Sequence, residues 1–151
     1  MTVLFKDESA GYLANSMARL FAVALAESLR TLELAPAAFG LLLELWQGDG
    51  LSQRDLVERT DIEQATIANT LARMERDGLL TRTPHPHDAR MQQIYLTEKA
   101  KQLEDAAMQC ARQVNQQALS TLDEQEQAVF LLLMQRVSTN LRLLREGKRT
   151  G

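Results

Sequence analysis

The chain has 151 residues, of which 45% are hydrophobic and 25% charged, and this is enough apolar material for the core of one compact domain or of one subunit of an intertwined oligomer. Its net charge of −3 argues against a protein that holds nucleic acid by overall charge, and no apolar run approaches the roughly 20 residues that span a bilayer. The single Cys110 excludes an internal disulfide, and charges at positions 6–8 interrupt the apolar stretch of a secretory signal, so we expect a cytoplasmic protein with no membrane partner.

Helical periodicity characterises the first part of the chain. Apolar side chains recur at helical spacing from Ser9 to Leu32 and predict one long amphipathic helix. Pro36 suits the first turn of a second helix, which is expected to continue through Trp46 and to end at Gly48. The tryptophan is expected to belong to the core.

Two shorter helices are predicted next, each introduced by a capping pattern. Ser52 with Asp55, and Asp61 with Gln64, place a side-chain acceptor and its partner three residues apart, as in a capping box. Gly78 is expected to stop the second of these helices at the position just past its C-cap. The spacing of the two helices favours a helix-turn-helix.

After the second short helix the pattern changes to β-compatible runs at 80–83 and 92–96. The turn from Pro84 to Ala89 between them contains two prolines and cannot be helical. Arg90 lies near the tip of this ribbon. Helix, turn, helix and ribbon in this order are typical of a winged helix-turn-helix, a unit that places its second helix in the major groove of DNA.

Two further helices are predicted at the C-terminal end. Thr97 is expected to cap the fifth helix, and Thr121 with Glu124 to open a sixth that runs to about Arg145 and leaves a frayed tail at 146–151. The sequence VFLLLM at 129–134 makes the sixth helix apolar nearly all the way round, so it should be buried on several sides. It is either the core helix of a monomer or, as we favour, part of a dimer interface with the first and fifth helices.

Small and polar side chains on the second helix of the motif are the candidate DNA contacts. Amides can bind adenine through two hydrogen bonds, threonine can meet a hydroxyl acceptor or a thymine methyl group, and arginine binds guanine or phosphate. Surface helices more often carry glutamate and lysine, so this composition favours DNA contact over plain solvation. The outward positions are predicted to be Gln64, Ala65, Thr66, Asn69, Thr70 and Arg73.

The wing supplies a second candidate contact. Arg90 is expected to enter the minor groove, where A·T-rich sequence deepens the negative potential, while Asp88 orients the guanidinium or braces the turn; an ordinary exposed ion pair is the alternative. A metal site at His85 and His87 is disfavoured because no fourth ligand is apparent nearby. Cys110 is expected to be a buried small hydrophobe and not a reactive thiol.

The segment LSQRDLVERTDIEQATIANTLARMERDGLLTR at 51–82, followed by HDAR and IYLTEKA, resembles the MarR family of bacterial transcriptional regulators. The resemblance extends from about residue 14 to residue 144. It implies an obligate dimer of winged helix-turn-helix subunits joined by N- and C-terminal helices, in which the residues above contact DNA. Family members mostly repress genes for efflux, stress resistance or catabolism, and many release DNA when a small aromatic or phenolic anion binds.

The chain departs from the family pattern at three positions, where Asn69 replaces a basic residue, Ala89 a second wing arginine and Ala100 a glycine. Eight basic and eight acidic residues lie between Leu51 and Lys101, so the candidate DNA-binding module is electrically neutral. The change at Asn69 predicts an altered base preference or a weaker affinity for DNA. The neutral charge predicts a modest affinity for DNA until two copies act together.

These observations predict a mainly α protein with a small β-wing, divided into an N-terminal dimerisation helix (1–34), a winged helix-turn-helix domain (35–100) and C-terminal dimerisation helices with a short tail (101–151). The predicted function is that of a homodimeric regulator of a nearby operon, a repressor that binds a pseudo-palindromic operator in double-stranded DNA and is released by a small aromatic or phenolic anion. No catalytic residues, cofactor or metal are predicted. Two alternatives remain: a redox- or metal-responsive regulator of the same fold using Cys110 or the two histidines, and a protein-interaction module that has lost DNA binding.

Overall fold

The computed structural model describes residues 2–149 and confirms a mainly helical fold with a small antiparallel sheet. The helices are α1 (Phe5–Glu8), α2 (Ala10–Leu29, continued by a 3₁₀ turn at Arg30–Leu32), α3 (Pro36–Leu45), α4 (Gln53–Thr60), α5 (Gln64–Arg76), α6 (Glu98–Gln102), α7 (Glu104–Ala118) and α8 (Glu124–Arg149). The strands are β1 (Leu51–Ser52), β2 (Leu80–Pro84) and β3 (Gln92–Leu96). No helix within residues 2–149 is long and apolar enough to cross a membrane.

The chain forms two compact units, one up to Val114 and the other from Asn115 onwards. In the first unit α3 packs against α2, α4 and α5, and α5 packs against β2. Burial of an aliphatic side chain contributes roughly 1.5–3 kcal/mol, so the core of this unit holds α4 and α5 firmly in place. Its most deeply buried side chains are Leu29, Leu41, Leu42, Leu45, Leu56, Ile67, Leu71, Met74, Leu80 and Ile94.

The sheet has the order β1-β3-β2, and both neighbouring pairs are antiparallel. In the β2–β3 ribbon Leu80 pairs with Leu96 and Arg82 with Ile94, and Leu51 of β1 pairs with Ile94 from the other side. The two ribbon strands lie where the sequence predicts them. The first strand was not predicted, because a two-residue strand has no alternating pattern of its own and forms only by pairing with β3.

The helix starts of the first unit confirm two of the three capping predictions. Ser52 Oγ accepts a hydrogen bond from the Asp55 amide (3.1 Å) and Asp55 Oδ2 accepts one from the Ser52 amide (2.8 Å), and Thr97 caps α6. The prediction that Asp61 opens the next helix is wrong. Asp61 ends α4 in the left-handed region at φ 59°, which aspartate tolerates better than most residues, and α5 follows Glu63 without a side-chain cap.

The C-terminal helices differ from the prediction, although the first of them starts after Thr97 as expected. The fifth predicted helix is two helices, α6 and α7. The capping box before α8 is formed by Asp123 and Glu126, not by Thr121 and Glu124: Asp123 Oδ1 accepts from the Glu126 amide (2.8 Å) and Glu126 Oε1 from the Asp123 amide (3.2 Å). This backbone hydrogen bond from Glu126 favours the ionised carboxyl and lowers the pKa of Asp123. Thr121 with Glu124 and Asp123 with Glu126 have the same three-residue spacing, so the sequence pattern alone did not distinguish the two possible capping boxes.

The last helix is longer and more exposed than predicted. α8 continues to Arg149, so the frayed tail expected from residue 146 is wrong, and residues 150–151 lie outside the described range. Lys148 and Arg149 in the last turn suit the negative end of the helix dipole. None of residues 124–149 is buried in the single chain. Its large apolar side chains are 39–61% exposed at Val129, Leu131, Leu132, Leu133, Met134, Val137, Leu141, Leu143 and Leu144.

Candidate nucleic-acid interface

Helix α5 has a buried face and an open face because its apolar residues recur at helical spacing. Ile67, Leu71 and Met74 are at most 1% exposed and pack in the core. The open face brings together amide, hydroxyl and guanidinium groups, which supply the donors and acceptors that base edges can bind. It carries five of the six DNA contacts predicted on this helix: Gln64, Ala65, Thr66, Asn69 and Arg73.

The sixth predicted residue on this helix, Thr70, does not face outward. Its side chain is buried, with 6% exposed, and its Oγ1 donates a hydrogen bond to the Thr66 carbonyl at 2.8 Å. The position lies three residues after Ile67 and four before Met74, so helical geometry places it on the core face. The hydroxyl is accommodated there because it is satisfied by the backbone of its own helix.

The C-terminal end of α5 is set by Gly78, as predicted. Gly78 adopts φ 73°, its amide donates to the Glu75 carbonyl (3.1 Å), and the Leu79 amide donates to the Met74 carbonyl (2.9 Å). This pair of bonds is a Schellman motif. It reverses the chain directly into β2, so the wing starts at a fixed position beside α5.

The tip of the β2–β3 ribbon is a tight turn. The His85 amide donates to the Met91 carbonyl (2.8 Å) and the Met91 amide to the Asp88 carbonyl (3.0 Å). Asp88 Oδ1 accepts from the Arg90 amide at 3.0 Å and lies 3.3 Å from Arg90 Nε. Asp88 therefore both braces the turn and contacts the guanidinium. The Arg90 side chain is 91% exposed and projects into solvent.

Arg82 joins the wing to α5 and was missed in the sequence. Its Nε lies 3.3 Å from Glu75 Oε2, which is within ion-pair distance, although the buried N–H is not aligned for a hydrogen bond to any described atom. Strand alternation places Arg82 on the same face as the buried Leu80, and this signal could have identified it. A further pair on the surface of α4 joins Arg54 to Glu58 at 3.2 Å.

The residues of the two sensor hypotheses, His85 with His87 and Cys110, have different structural roles. His85 Nδ1 accepts from the His87 amide (3.1 Å), so the two histidines take part in the wing turn. Within residues 2–149 no group of three or more His, Cys, Asp or Glu side chains could hold a metal ion. Cys110 is half-buried, packs against the core and has its Sγ 3.4 Å from the Ser28 carbonyl. It packs against the core as predicted, but it is half-buried where a buried side chain was expected.

Sequence comparison identifies the family of this fold. The MarR family model matches residues 32–91, from the end of the first helical segment to the wing. The HTH-type transcriptional repressor NicR of Pseudomonas putida is 30% identical over 105 residues, which cover 70% of this chain and 66% of NicR. Residues 32–91, which the family model matches, contain all the candidate DNA contacts.

Solved structures agree in fold over nearly the whole chain. The PcaV regulator of Streptomyces coelicolor, solved with its natural ligand, is 27% identical with a TM-score of 0.79, covering 92% of this chain and 98% of PcaV. BpsR of Bordetella bronchiseptica, whose DNA binding is regulated by 6-hydroxynicotinic acid, is 24% identical with a TM-score of 0.82, covering 91% and 98%. With its fold, its wing and these relatives, the chain belongs to the MarR family of DNA-binding transcriptional regulators.

Proposed function

We propose that this protein is a homodimeric repressor that binds a pseudo-palindromic operator in double-stranded DNA and is released by a small aromatic anion. The observation that carries the proposal is the open face of α5, on which Gln64, Thr66, Asn69 and Arg73 are exposed while the opposite face is fixed in the core. A recognition helix needs both properties, because base contacts require side chains that are free and a backbone that is held.

The proposed contacts divide into base and groove contacts. Gln64 and Asn69 would bind adenine through paired hydrogen bonds. The methyl groups of Ala65 and Thr66 would pack on thymine methyl groups, and the Thr66 hydroxyl would also hydrogen-bond a base. Arg73 lies further along the helix and would bind guanine or a phosphate. These residues lie on one side of one helix, which fits the width of the major groove.

The wing would contribute a contact of a different kind. The exposed guanidinium of Arg90 is placed at the end of a narrow ribbon, and such an arginine enters the minor groove, where narrow A·T-rich segments attract it. Asp88 would hold the turn that presents it. In this proposal α5 recognises the base sequence, and the wing recognises the shape of the minor groove.

Dimerisation is proposed from the apolar surface that the single chain leaves open. In α8, Leu132 and Leu141 are 54% and 61% exposed, and in α2, Leu20 and Val23 are 69% and 68% exposed. Apolar surface on this scale marks an interaction site. We assign residues 1–34 and 101–151 to dimerisation and 35–100 to DNA binding. Two symmetric copies would double the number of DNA contacts, which compensates for the absence of a net positive charge on each DNA-binding module.

The ligand and the direction of regulation are proposed from the relatives. NicR is named as a repressor, and DNA binding by BpsR is regulated by 6-hydroxynicotinic acid. An aromatic acid of this class would release the operator only if it binds the DNA-free conformation more tightly than the DNA-bound one. Because its partner is chromosomal DNA, the protein would act in the cytoplasm.

Genome-wide footprinting of the native protein, followed by titration of the recovered operator at several salt concentrations, tests the proposal. Arg73→Ala and Arg90→Ala should weaken binding, and each should lower the slope of log K against log salt by about 1 if the arginine contacts phosphate. Arg112→Ala, which changes an exposed arginine of α7 outside the proposed DNA contacts, is the matched control. Wild-type protein that shows no salt-dependent operator binding would refute the proposal.

The dimer is tested separately by analytical ultracentrifugation. Leu132→Glu places a charge in the exposed apolar surface of α8 and should shift the protein towards the monomer, because a charge buried without a partner is strongly unfavourable. Gln135→Glu adds the same charge at an exposed polar position of the same helix and should leave the mass unchanged. A wild-type protein that sediments as a monomer at micromolar concentration would contradict this part of the proposal.

A further inference from the structure

The carbonyl groups just beyond α5 are held by one short segment of chain. The oxygens of Asp77, Gly78 and Leu79 accept hydrogen bonds from Lys99 Nζ (2.9 Å), Thr97 Oγ1 (2.6 Å) and the Thr97 amide (3.1 Å), in that order. Asp77 is the C-cap of α5, and Gly78 and Leu79 connect it to β2. Thr97 and Lys99 therefore hold three successive carbonyls of this connection, and they fix the end of α5 to the start of α6.

The same segment is anchored on its other side. Thr97 Oγ1 also accepts a hydrogen bond from the Ala100 amide (3.3 Å), and this bond caps the N-terminus of α6. Ala100 is fully buried, and its carbonyl accepts from Trp46 Nε1 at 3.0 Å. Trp46 packs edge-on against Phe39 of α3, with the ring centroids 6.0 Å apart, as expected for a core residue. Residues 97–100 are therefore a brace between the core around α3 and the end of α5.

We propose that Thr97 and Lys99 are positioning residues for DNA recognition, which fix the orientation of α5 towards the bases by holding the carbonyls just beyond its C-terminal end. The inference rests on the proposed function, since only a helix that contacts bases needs this precision. Hydrogen bonds to base edges depend on placement within about 0.5 Å and 10–20°, whereas contacts between flexible cationic side chains and phosphate tolerate displacement. Weakening the brace should therefore reduce sequence discrimination more than affinity for DNA in general.

Lys99 is exposed, so its alternative role is a direct contact to phosphate. The two roles differ in their signatures. Loss of a phosphate contact weakens binding to all sequences alike and lowers the salt slope by about 1. Loss of a positioning contact lowers the ratio of operator to nonspecific affinity and leaves the salt slope unchanged.

Lys99→Met in the full-length protein removes the donor and keeps the length of the side chain, and Lys99→Arg restores a donor. The amides of Gly78 and Leu79 report on the end of α5 by hydrogen exchange. We expect exchange there to accelerate about 5- to 10-fold in Lys99→Met, since one hydrogen bond is lost, and to return towards wild type in Lys99→Arg. The ratio of operator to nonspecific affinity should fall about 3- to 10-fold.

Thr97→Val, compared with Thr97→Ser, repeats the test at the second donor, because serine keeps the hydroxyl and valine does not. Unchanged exchange at Gly78 and Leu79 in Lys99→Met would overturn the positioning role. So would a salt slope lowered by about 1 with an unchanged specificity ratio, since this is the signature of a phosphate contact. If wild-type protein does not bind DNA specifically, the proposed function fails and the positioning role with it. Failure of Lys99→Met alone, with a specific wild type, overturns only the inference.

Discussion

Replacement of Gly78 by alanine should destabilise the protein through the backbone alone. Gly78 has φ 73°, and an added Cβ would meet no heavy atom within 4 Å among the described residues beyond its chain neighbours, so no packing clash contributes. A left-handed conformation costs an L-residue about 1–2 kcal/mol, and alanine recovers about 0.4–1 kcal/mol by restricting the unfolded chain. We expect a net loss of about 1 kcal/mol in the free energy of unfolding.

The assay is urea unfolding at a fixed protein concentration, since the stability of the proposed dimer would depend on concentration. Gly40→Ala is the matched control, because Gly40 lies within α3, does not have a positive φ and also has open space for a Cβ. It should stabilise the protein by about 0.5–1 kcal/mol. Gly78→Asn should cost less than Gly78→Ala, because asparagine tolerates the left-handed region. Equal stability of Gly78→Ala and wild type, or an equal cost for asparagine and alanine, would refute the explanation.

Three further outcomes are expected. Thr70→Val should leave operator affinity unchanged, because the Thr70 hydroxyl is turned into the protein. Asn69→Ala should weaken operator binding by about 1–3 kcal/mol. A loss of affinity in Thr70→Val would contradict the buried orientation of Thr70. Leu71→Ala, at a fully buried position, should lower the free energy of unfolding by about 2–5 kcal/mol in urea titrations. The pKa of Asp123 is lowered by the Glu126 amide, so its stabilising effect is present above the usual aspartate pKa and is lost as the pH falls through the folded value; the advantage of wild type over Asp123→Asn in thermal melts should shrink on acidification, and a constant difference would contradict it.

The sequence predicted the start of α4 and the end of α5, because neighbouring residues determine both. The Ser52–Asp55 capping box and the Gly78 stop depend on residues within a few positions of each other, so pattern and structure coincide. Asp61 could not be assigned in this way, since aspartate suits both a helix start and a left-handed turn. Only the geometry of the two packed helices selects the turn.

Thr70 was misassigned and Arg82 was missed because the polar character of each residue does not reveal the contacts that it makes in the fold. Thr70 has helical spacing from Ile67 that places it inward, but its polar character suggested an outward position. Arg82 is charged yet shares a strand face with Leu80, and its partner Glu75 lies on another element. A pattern of residue types does not contain such nonlocal pairings.

The ion pairs of the DNA-binding module have a consequence for competition by bulk DNA. Arg54, Arg82 and Arg90 each lie within 3.3 Å of a carboxylate, so part of their charge is already neutralised before DNA is met. A chromosome offers about 10⁶ or more nonspecific sites, which would sequester a strongly basic regulator. A protein whose arginines are balanced in this way should remain largely free of that reservoir. For the proposed repressor, fewer copies in each cell would then suffice to occupy one operator, and correspondingly less of the proposed effector would be needed to release it.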